Sequence, residues 1–188
     1  IICLESETGS GKTEAAFLHF LCLMRQGMVE GMYFALPTRS AATQLHERIL
    51  EYTRNTFGKS APPVVLAVSG YIRADDKVGE RSALPHFEVL WHDDEKNRYR
   101  YKGWAAEHPK RYLAAPVVVG TIDQVFLSAL AVPHAHLRHL ALLRHLLVVD
   151  EVHASDEYMQ TILKQVLERH VAAGGHALLM SATLGGQL

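Results

Sequence analysis

Apolar residues arrive along this chain in short unbroken runs, separated by stretches with helical spacing. Ile1 to Leu4, Met32 to Leu36, Val64 to Val68, Val117 to Val119, Leu146 to Val149 and Ala177 to Met180 are apolar at every position. Runs of this kind predict strands buried on both faces, whereas a half-exposed strand would alternate. Between them, Ala15, Leu18, Leu21 and Cys22 predict a first helix that stops at Gly27. Leu45, Ile49 and Tyr52 predict a second, capped by Ser40 and fading at Gly58. Thr121 and Gln124 have the spacing of a capping box, continued by Ile122, Val125, Phe126 and Leu130 up to Pro133. A short helix follows over 137–144. A long one is capped by Ser155, carries Asp156 and Glu157 in its first turn, and ends near Gly174 and Gly175. Fully apolar strands alternating with helices predict an α/β fold, a parallel sheet with helices on both faces. From about 70 to 111 the periodicity dissolves, which predicts a surface insertion.

The polar residues that interrupt this pattern stand where the runs end. The first run leads into Glu5-Ser6-Glu7-Thr8-Gly9-Ser10-Gly11-Lys12-Thr13 and then directly into a helix. Strand, glycine-rich turn, Lys-Thr and helix is the P-loop layout, whose N–H groups point inward at phosphate oxygens. The helix adds the positive end of its dipole at the same place. Thr8, Gly9, Ser10 and Gly11 form the cradle, Lys12 reaches the β- and γ-phosphates, and the Thr13 hydroxyl ligates Mg²⁺. Ser6 stands where the pattern wants glycine or a similarly small residue, and serine is small enough. A flexible Gly/Ser turn with a chance Lys-Thr is the blander reading, and the flanking strand and helix argue against it.

Four more strand ends carry polar motifs: Pro37-Thr38-Arg39, Gly120-Thr121, Asp150-Glu151 and Ser181-Ala182-Thr183. In parallel sheets, functional residues lie beyond the carboxyl ends of the strands, so all five motifs are expected on one rim. Asp150, at the tip of Leu-Leu-Val-Val, suits the second metal ligand beside Thr13, and Glu151 suits the base for an attacking water.

The bulk numbers restrict the picture without redirecting it. At 188 residues, 48% apolar and 21% charged, the chain is long enough for one well-buried domain. A net charge of −1 advertises no polyanion partner, so nucleic-acid contact must rest on local groups. No apolar run approaches the ~18 residues of a membrane span. Cys3 and Cys22 form no CxxC pair and are expected to be buried thiols in a reducing cytosol. The chain opens inside a core strand, which suggests a piece of something longer. His134, His136, His139 and His145 crowd one region without metal-ligand spacing and are expected to be solvated. Arg98, Arg100, Lys102 and Lys110, interleaved with Tyr99, Tyr101 and Trp104, would suit single-strand stacking, but Asp93, Asp94 and Glu95 oppose that charge.

Asp150-Glu151-Val152-His153 is a DExH box. Together with Gly9 to Thr13, Leu36 to Arg39, Val119 to Thr121 and Ser181 to Thr183, it resembles the first RecA-like domain of a superfamily-two helicase over nearly the whole chain. The continuation Glu14-Ala15-Ala16, the run Val119-Gly-Thr-Ile-Asp-Gln124 and Asp150 to Ala154 resemble more narrowly the CRISPR-associated helicase–nuclease of type I systems.

That resemblance implies a RecA-like P-loop NTPase domain over residues 1–188, using ATP and Mg²⁺. Lys12, Asp150 and Glu151 are its catalytic residues, with Thr13 and Asp150 on the metal. It implies that His153, Ser181 and Thr183 couple nucleotide state to the nucleic-acid site. Thr38, Arg39, Gly120 and Thr121 hold the phosphates of one DNA strand. The implied partners are single-stranded DNA, a second RecA-like domain, a nuclease domain in cis or in trans and an RNA-guided surveillance complex, in a prokaryotic cytoplasm with no membrane. The 188 residues alone are then expected to bind nucleotide weakly and hydrolyse it poorly. A DExH enzyme acting on RNA or in DNA repair, and a non-catalytic nucleotide-gated module, are the alternatives.

Overall fold

The computed structural model describes residues 1–7, 9–68, 71–74, 77–78, 115–130, 132, 134–151 and 157–182. The strands are β1 (Ile2–Glu5), β2 (Gly31–Leu36), β3 (Val64–Val68), β4 (Tyr71–Ala74), β5 (Lys77–Val78), β6 (Val117–Thr121), β7 (His145–Val149) and β8 (His176–Ser181). The α-helices are α1 (Lys12–Arg25), α2 (Arg39–Phe57), α3 (Ile122–Phe126), α4 (Ala135–Leu143) and α5 (Glu157–Ala172). The described strands form one sheet in the order β1-β8-β7-β2-β6-β3-β4-β5. From β1 to β3 all neighbours pair in parallel; β4 and β5 then run antiparallel as a small extension of that edge. This extension lies where the insertion was expected to begin, and residues 79–114 lie outside the described part.

The order explains which helix covers which face. From β1 to β2 and from β2 to β3 the chain steps one way across the sheet, and from β6 to β7 to β8 it steps back. Right-handed crossovers send helices to opposite faces when the direction reverses. Accordingly, Ala16, Phe17, Phe20 and Leu23 of α1 and Ala42, Leu45 and Ile49 of α2 pack on Met32, Phe34, Leu66, Val119 and Val148. Ile122 and Val125 of α3, Leu142 of α4, and Leu163 and Val166 of α5 pack on Tyr33, Ala35, Val118, Leu147 and Leu179 on the other side. β2, β3, β6 and β7 are buried at every position, as two-sided cover requires.

Several local expectations shift. β1 is the outer strand of the described sheet and not a buried one: Ile1 is 61% and Ile2 49% exposed. The buried face of α1 is 16, 17, 20 and 23, while Leu18 is 63% exposed. The helix is apolar almost all round, so spacing alone could not choose its face. Cys3 and Cys22 are exposed, for the same two reasons. Gly27 does end α1: at φ 71° it lets the Met28 N–H reach Leu23 O (3.0 Å) and its own N–H reach Met24 O (3.0 Å). Gly174 (φ 88°) ends α5 in the same way, through Gly175 N–H to His170 O (2.8 Å). The α2 cap is Thr38, not Ser40: its Oγ1 accepts from Ala41 N at 3.2 Å, because the helix starts two residues earlier. Pro133, Ser155 and Asp156 lie outside the described residues, and α3 already ends at Phe126.

His145 is not solvated as expected. It is 3% exposed, with Nδ1 2.7 Å from Ala141 O and Nε2 2.9 Å from Ala115 O, and it lies against Gly31, where a Cβ would overlap its ring. His170 is buried on α5, with Nε2 3.1 Å from His176 O. Burial, the largest influence on each, pushes both imidazoles below their ordinary value of about 6.5, against the backbone hydrogen bonds that raise them. The unfolded chain therefore binds more protons than the folded one below that value. Stability is expected to be fully present above pH ~6.5 and to fall as the pH drops from there through the lowered folded pKa values. Thermal unfolding followed from pH 8 to pH 5 checks this, with a His170→Phe variant expected to show a flatter profile.

Candidate functional site at the strand tips

Parallel pairing sets Glu5 opposite Ser181, Val149 opposite Leu179, Ala35 opposite Val149, and Leu36 opposite Thr121. All five polar motifs therefore leave the sheet on one rim, as expected. A cavity of about 270 Å³ opens there, lined by Gly9, Gly11, Lys12, Thr13, Glu14, Arg48, Asp150, Glu151, Met180 and Ala182.

The loop's shape follows from its glycines. Gly9 (φ 82°) and Gly11 (φ 89°) adopt left-handed backbone that side chains rarely tolerate. Gly11 is also the residue from which α1 starts, its carbonyl accepting Ala15 N–H at 2.9 Å. The loop is tied down by Ser10 N–H to Glu7 O (3.2 Å) and, at the β8 tip, by Ser6 N–H to Ser181 O (3.3 Å). Lys12 folds back over it and donates to the carbonyls of Ser6 and of Glu7 (2.8 Å). An ammonium has three donors, so one remains to meet a phosphate oxygen while the other two hold the side chain across the loop.

Asp150 continues the ladder beyond β7, its N–H donating to Ala35 O at 3.0 Å. The chain then turns sharply: Glu151 has φ 53°, and its N–H donates to Asp150 Oδ1 at 3.0 Å. A non-glycine residue in this region stores strain of roughly 1–3 kcal/mol, and such residues concentrate at functional sites. The turn keeps both carboxylates at the cavity. The donor set suits a hard divalent cation, because Thr13 hydroxyl and Asp150 carboxylate, both oxygen donors, line the same space.

Other expected site residues lie elsewhere. Ser10 is exposed on the loop and does not line the cavity, and Ser181 is fully buried in β8, bonded through its carbonyl to the loop. Thr8, His153 and Thr183 lie outside the described residues. Thr38 and Arg39 are exposed at the start of α2. Gly120 and Thr121 are buried within β6. Gly120 has a packing reason to be glycine, since a Cβ would overlap the Tyr33 hydroxyl and the Ala67 carbonyl. Thr121 is 2% exposed; its carbonyl accepts from the Tyr33 hydroxyl at 3.3 Å. Its own hydroxyl makes no capping bond and has no partner among the described residues. The expected capping box is therefore not formed by Thr121.

Sequence reasoning gave no site role to Glu14, Arg48, Met180 or Ala182, which line the cavity. Glu14 directly follows Thr13, a signal that was available. Arg48 sits mid-helix in α2, and nothing in its local sequence marks it.

Most of the chain, residues 2–188, matches the DEAD/DEAH box helicase family model. The "CRISPR-associated endonuclease/helicase Cas3" of Escherichia coli K12 is 34% identical over 181 residues, which is 96% of this chain and 20% of that relative. The chain thus spans about a fifth of the relative's length. The crystal structure of T. fusca Cas3-AMPPNP superposes with a TM-score of 0.71 at 33% identity, over 97% of this chain and 19% of that one. A chain of a "CRISPR RNA-guided surveillance complex, pre-nicking" superposes with a TM-score of 0.63 at 30% identity, over 97% of this chain and 16% of that one.

Two substitutions separate packing from hydroxyl chemistry at the β6 tip. Gly120→Ala is expected to destabilise the fold by about 1–3 kcal/mol through overpacking against Tyr33 and Ala67. Thr121→Val removes a buried hydroxyl without a partner and keeps the shape, so it is expected to leave stability equal or higher. Denaturant unfolding of the two variants beside the parent checks both.

Proposed function

Because this chain belongs to the DEAD/DEAH box helicase family, which implies nucleotide binding, we propose that it is the ATP-binding half of an ATP-dependent single-stranded DNA translocase acting in CRISPR interference. The observation that carries the reading is the strand-tip cavity that joins the Lys12–Thr13 loop to Asp150 and Glu151. Similarity to Cas3 and to a chain of a surveillance complex supports the setting. In that setting, target DNA is unwound for a nuclease domain in cis or in trans.

In this reading the loop N–H groups of residues 9–13 and Lys12 hold the triphosphate. Thr13 and Asp150 hold Mg²⁺, which when bound neutralises phosphate charge. Glu151, held at the cavity by its left-handed turn, orients and deprotonates the attacking water. Arginines of a second RecA-like domain complete the cleft from the other side. Thr38 and Arg39, exposed at the start of α2, contact DNA phosphates without reading bases. Gly120 and Thr121 are buried at the tip of β6, where Thr121 pairs with Leu36 at the end of β2, so their part is to shape that tip. His153, Ser181 and Thr183 stand as the link between nucleotide and DNA. The Ser6–Ser181 bond is a direct route by which the phosphate loop bears on the β8 tip.

Hydrolysis of ATP by the full-length protein, measured with single-stranded DNA, with single-stranded RNA and with neither, tests this. DNA is expected to stimulate and RNA not. Glu151→Gln is expected to lower turnover by about 10²-fold or more. Equal or stronger stimulation by RNA would replace the DNA reading with an RNA one. Binding without turnover in the wild type would replace the motor with a nucleotide-gated module.

A further inference from the structure

Two departures from an all-apolar core meet beneath the β6 tip. Tyr33, in the middle of β2, is 1% exposed and belongs to the core cluster with Val65, Val118 and Leu147. A phenylalanine would fill that space as well, and a hydroxyl is costly to bury unless it is hydrogen-bonded. Gly120 of β6 has no side chain, and a Cβ there would overlap that same hydroxyl. The side chain missing at Gly120 thus leaves the room that the Tyr33 hydroxyl occupies.

From this place the Tyr33 hydroxyl donates to the Thr121 carbonyl at 3.3 Å. Thr121 is the last residue of β6 and the one from which α3 starts. A threonine so placed ordinarily anchors the turn with its own hydroxyl. Thr121 makes no such capping bond. A side-chain bond to this turn comes instead from β2, the neighbouring strand. Thr121 pairs with Leu36, so the same bond sets the β6 tip against the β2 tip. Leu36 leads at once into Pro37, Thr38 and Arg39, of which the last two are exposed.

Stability is a poor reason for this arrangement, because a neutral hydrogen bond of ordinary strength adds little net on folding. What the bond does achieve is position. It ties the end of β6 to the interior of β2, so that two neighbouring strand tips move as one unit. Binding groups on a rim work when packed neighbours hold them within about 0.5 Å of their productive place.

We propose that Tyr33 is a positioning residue for the DNA contact, its hydroxyl holding the β6 tip, through Thr121, in the place beside which Thr38 and Arg39 engage the phosphates of a single strand. The proposal rests on the DNA reading above and adds to it a residue that is buried and touches no DNA. It also gives Gly120 its part, which is to admit the hydroxyl.

The test follows ATP hydrolysis by the full-length protein as a single-stranded DNA oligonucleotide is titrated. Wild type is compared with Tyr33→Phe and with a variant carrying 4-aminophenylalanine in place of Tyr33. Unfolding temperatures show that each is folded. Tyr33→Phe keeps the ring and loses the hydroxyl. It is expected to raise the DNA concentration for half-maximal stimulation by about fivefold and to leave the rate at saturating DNA unchanged. The amino group supplies a donor again and is expected to restore most of the loss. An unchanged half-maximal concentration in a folded Tyr33→Phe overturns the proposal. So does a fall in the saturated rate and the unfolding temperature with the half-maximal concentration unmoved, which is what a merely structural bond would give. A loss that the amino variant leaves in full separates the effect from the hydrogen bond and overturns it too. A wild type that DNA neither binds nor stimulates removes the DNA reading itself, and this proposal with it.

Discussion

Parallel pairing of β1, β8 and β7 is the constraint on which the site depends. It brings Lys12 and Asp150, which are far apart in sequence, to one cavity. Parallel strands must all end on the same rim, and each crossover must be right-handed, so neither the side nor the helix layers are free choices. β2, buried at every position between β7 and β6, keeps that rim aligned. The Gly31 and Gly120 positions show how tightly the sheet fills its space. At each, a single added carbon would meet a neighbouring backbone carbonyl.

Around that frame, the exceptions to good local structure gather at the rim. Gly9, Gly11 and Glu151 have positive φ, and the Thr121 hydroxyl is buried without a partner among the described residues. Elsewhere among the described residues positive φ stands at helix boundaries, at Gly27, Gly58 and Gly174 after helices and at His134 before one. Glu151 carries a side chain, as His134 does before α4, but it borders none of the described helices. Its strain is sustained by the ladder bond from Asp150 to Ala35 on one side and the Asp150 carboxylate on the other. Local cost at the rim and satisfied packing beneath it are what a preorganised site requires.

α1 and α2 contribute more than cover. α1 begins inside the glycine-rich loop and presents Glu14 one residue past Thr13. α2 begins beside the exposed Thr38 and Arg39 and presents Arg48 and Tyr52 to Glu14. The two helices that pack on one face of the sheet are therefore joined at the cavity by a polar cluster and below it by Phe17 and Tyr52. A bound nucleotide and a contact at the α2 start would share this pair of helices as common support.

How much of this was legible in the chain itself can be judged residue by residue. Runs such as Met32 to Leu36 and Leu146 to Val149 were readable because a strand covered on both faces admits nothing but apolar residues. Their tips were readable because glycine, lysine and paired carboxylates are out of place there unless chemistry needs them. By itself, then, the sequence determined the alternation of strands and helices, the parallel α/β class, the glycine-rich loop between β1 and α1 and the Asp150–Glu151 strand tip. Tertiary structure alone decided which face of α1 is buried, since Leu18 and Phe17 are equally apolar and only the sheet selects between them. It decided that His145 is buried and Cys22 exposed, because burial depends on what lies opposite. It also decided that Arg48 belongs to the site: a mid-helix arginine looks like any solvated charge until packing of α2 on α1 brings it to Glu14.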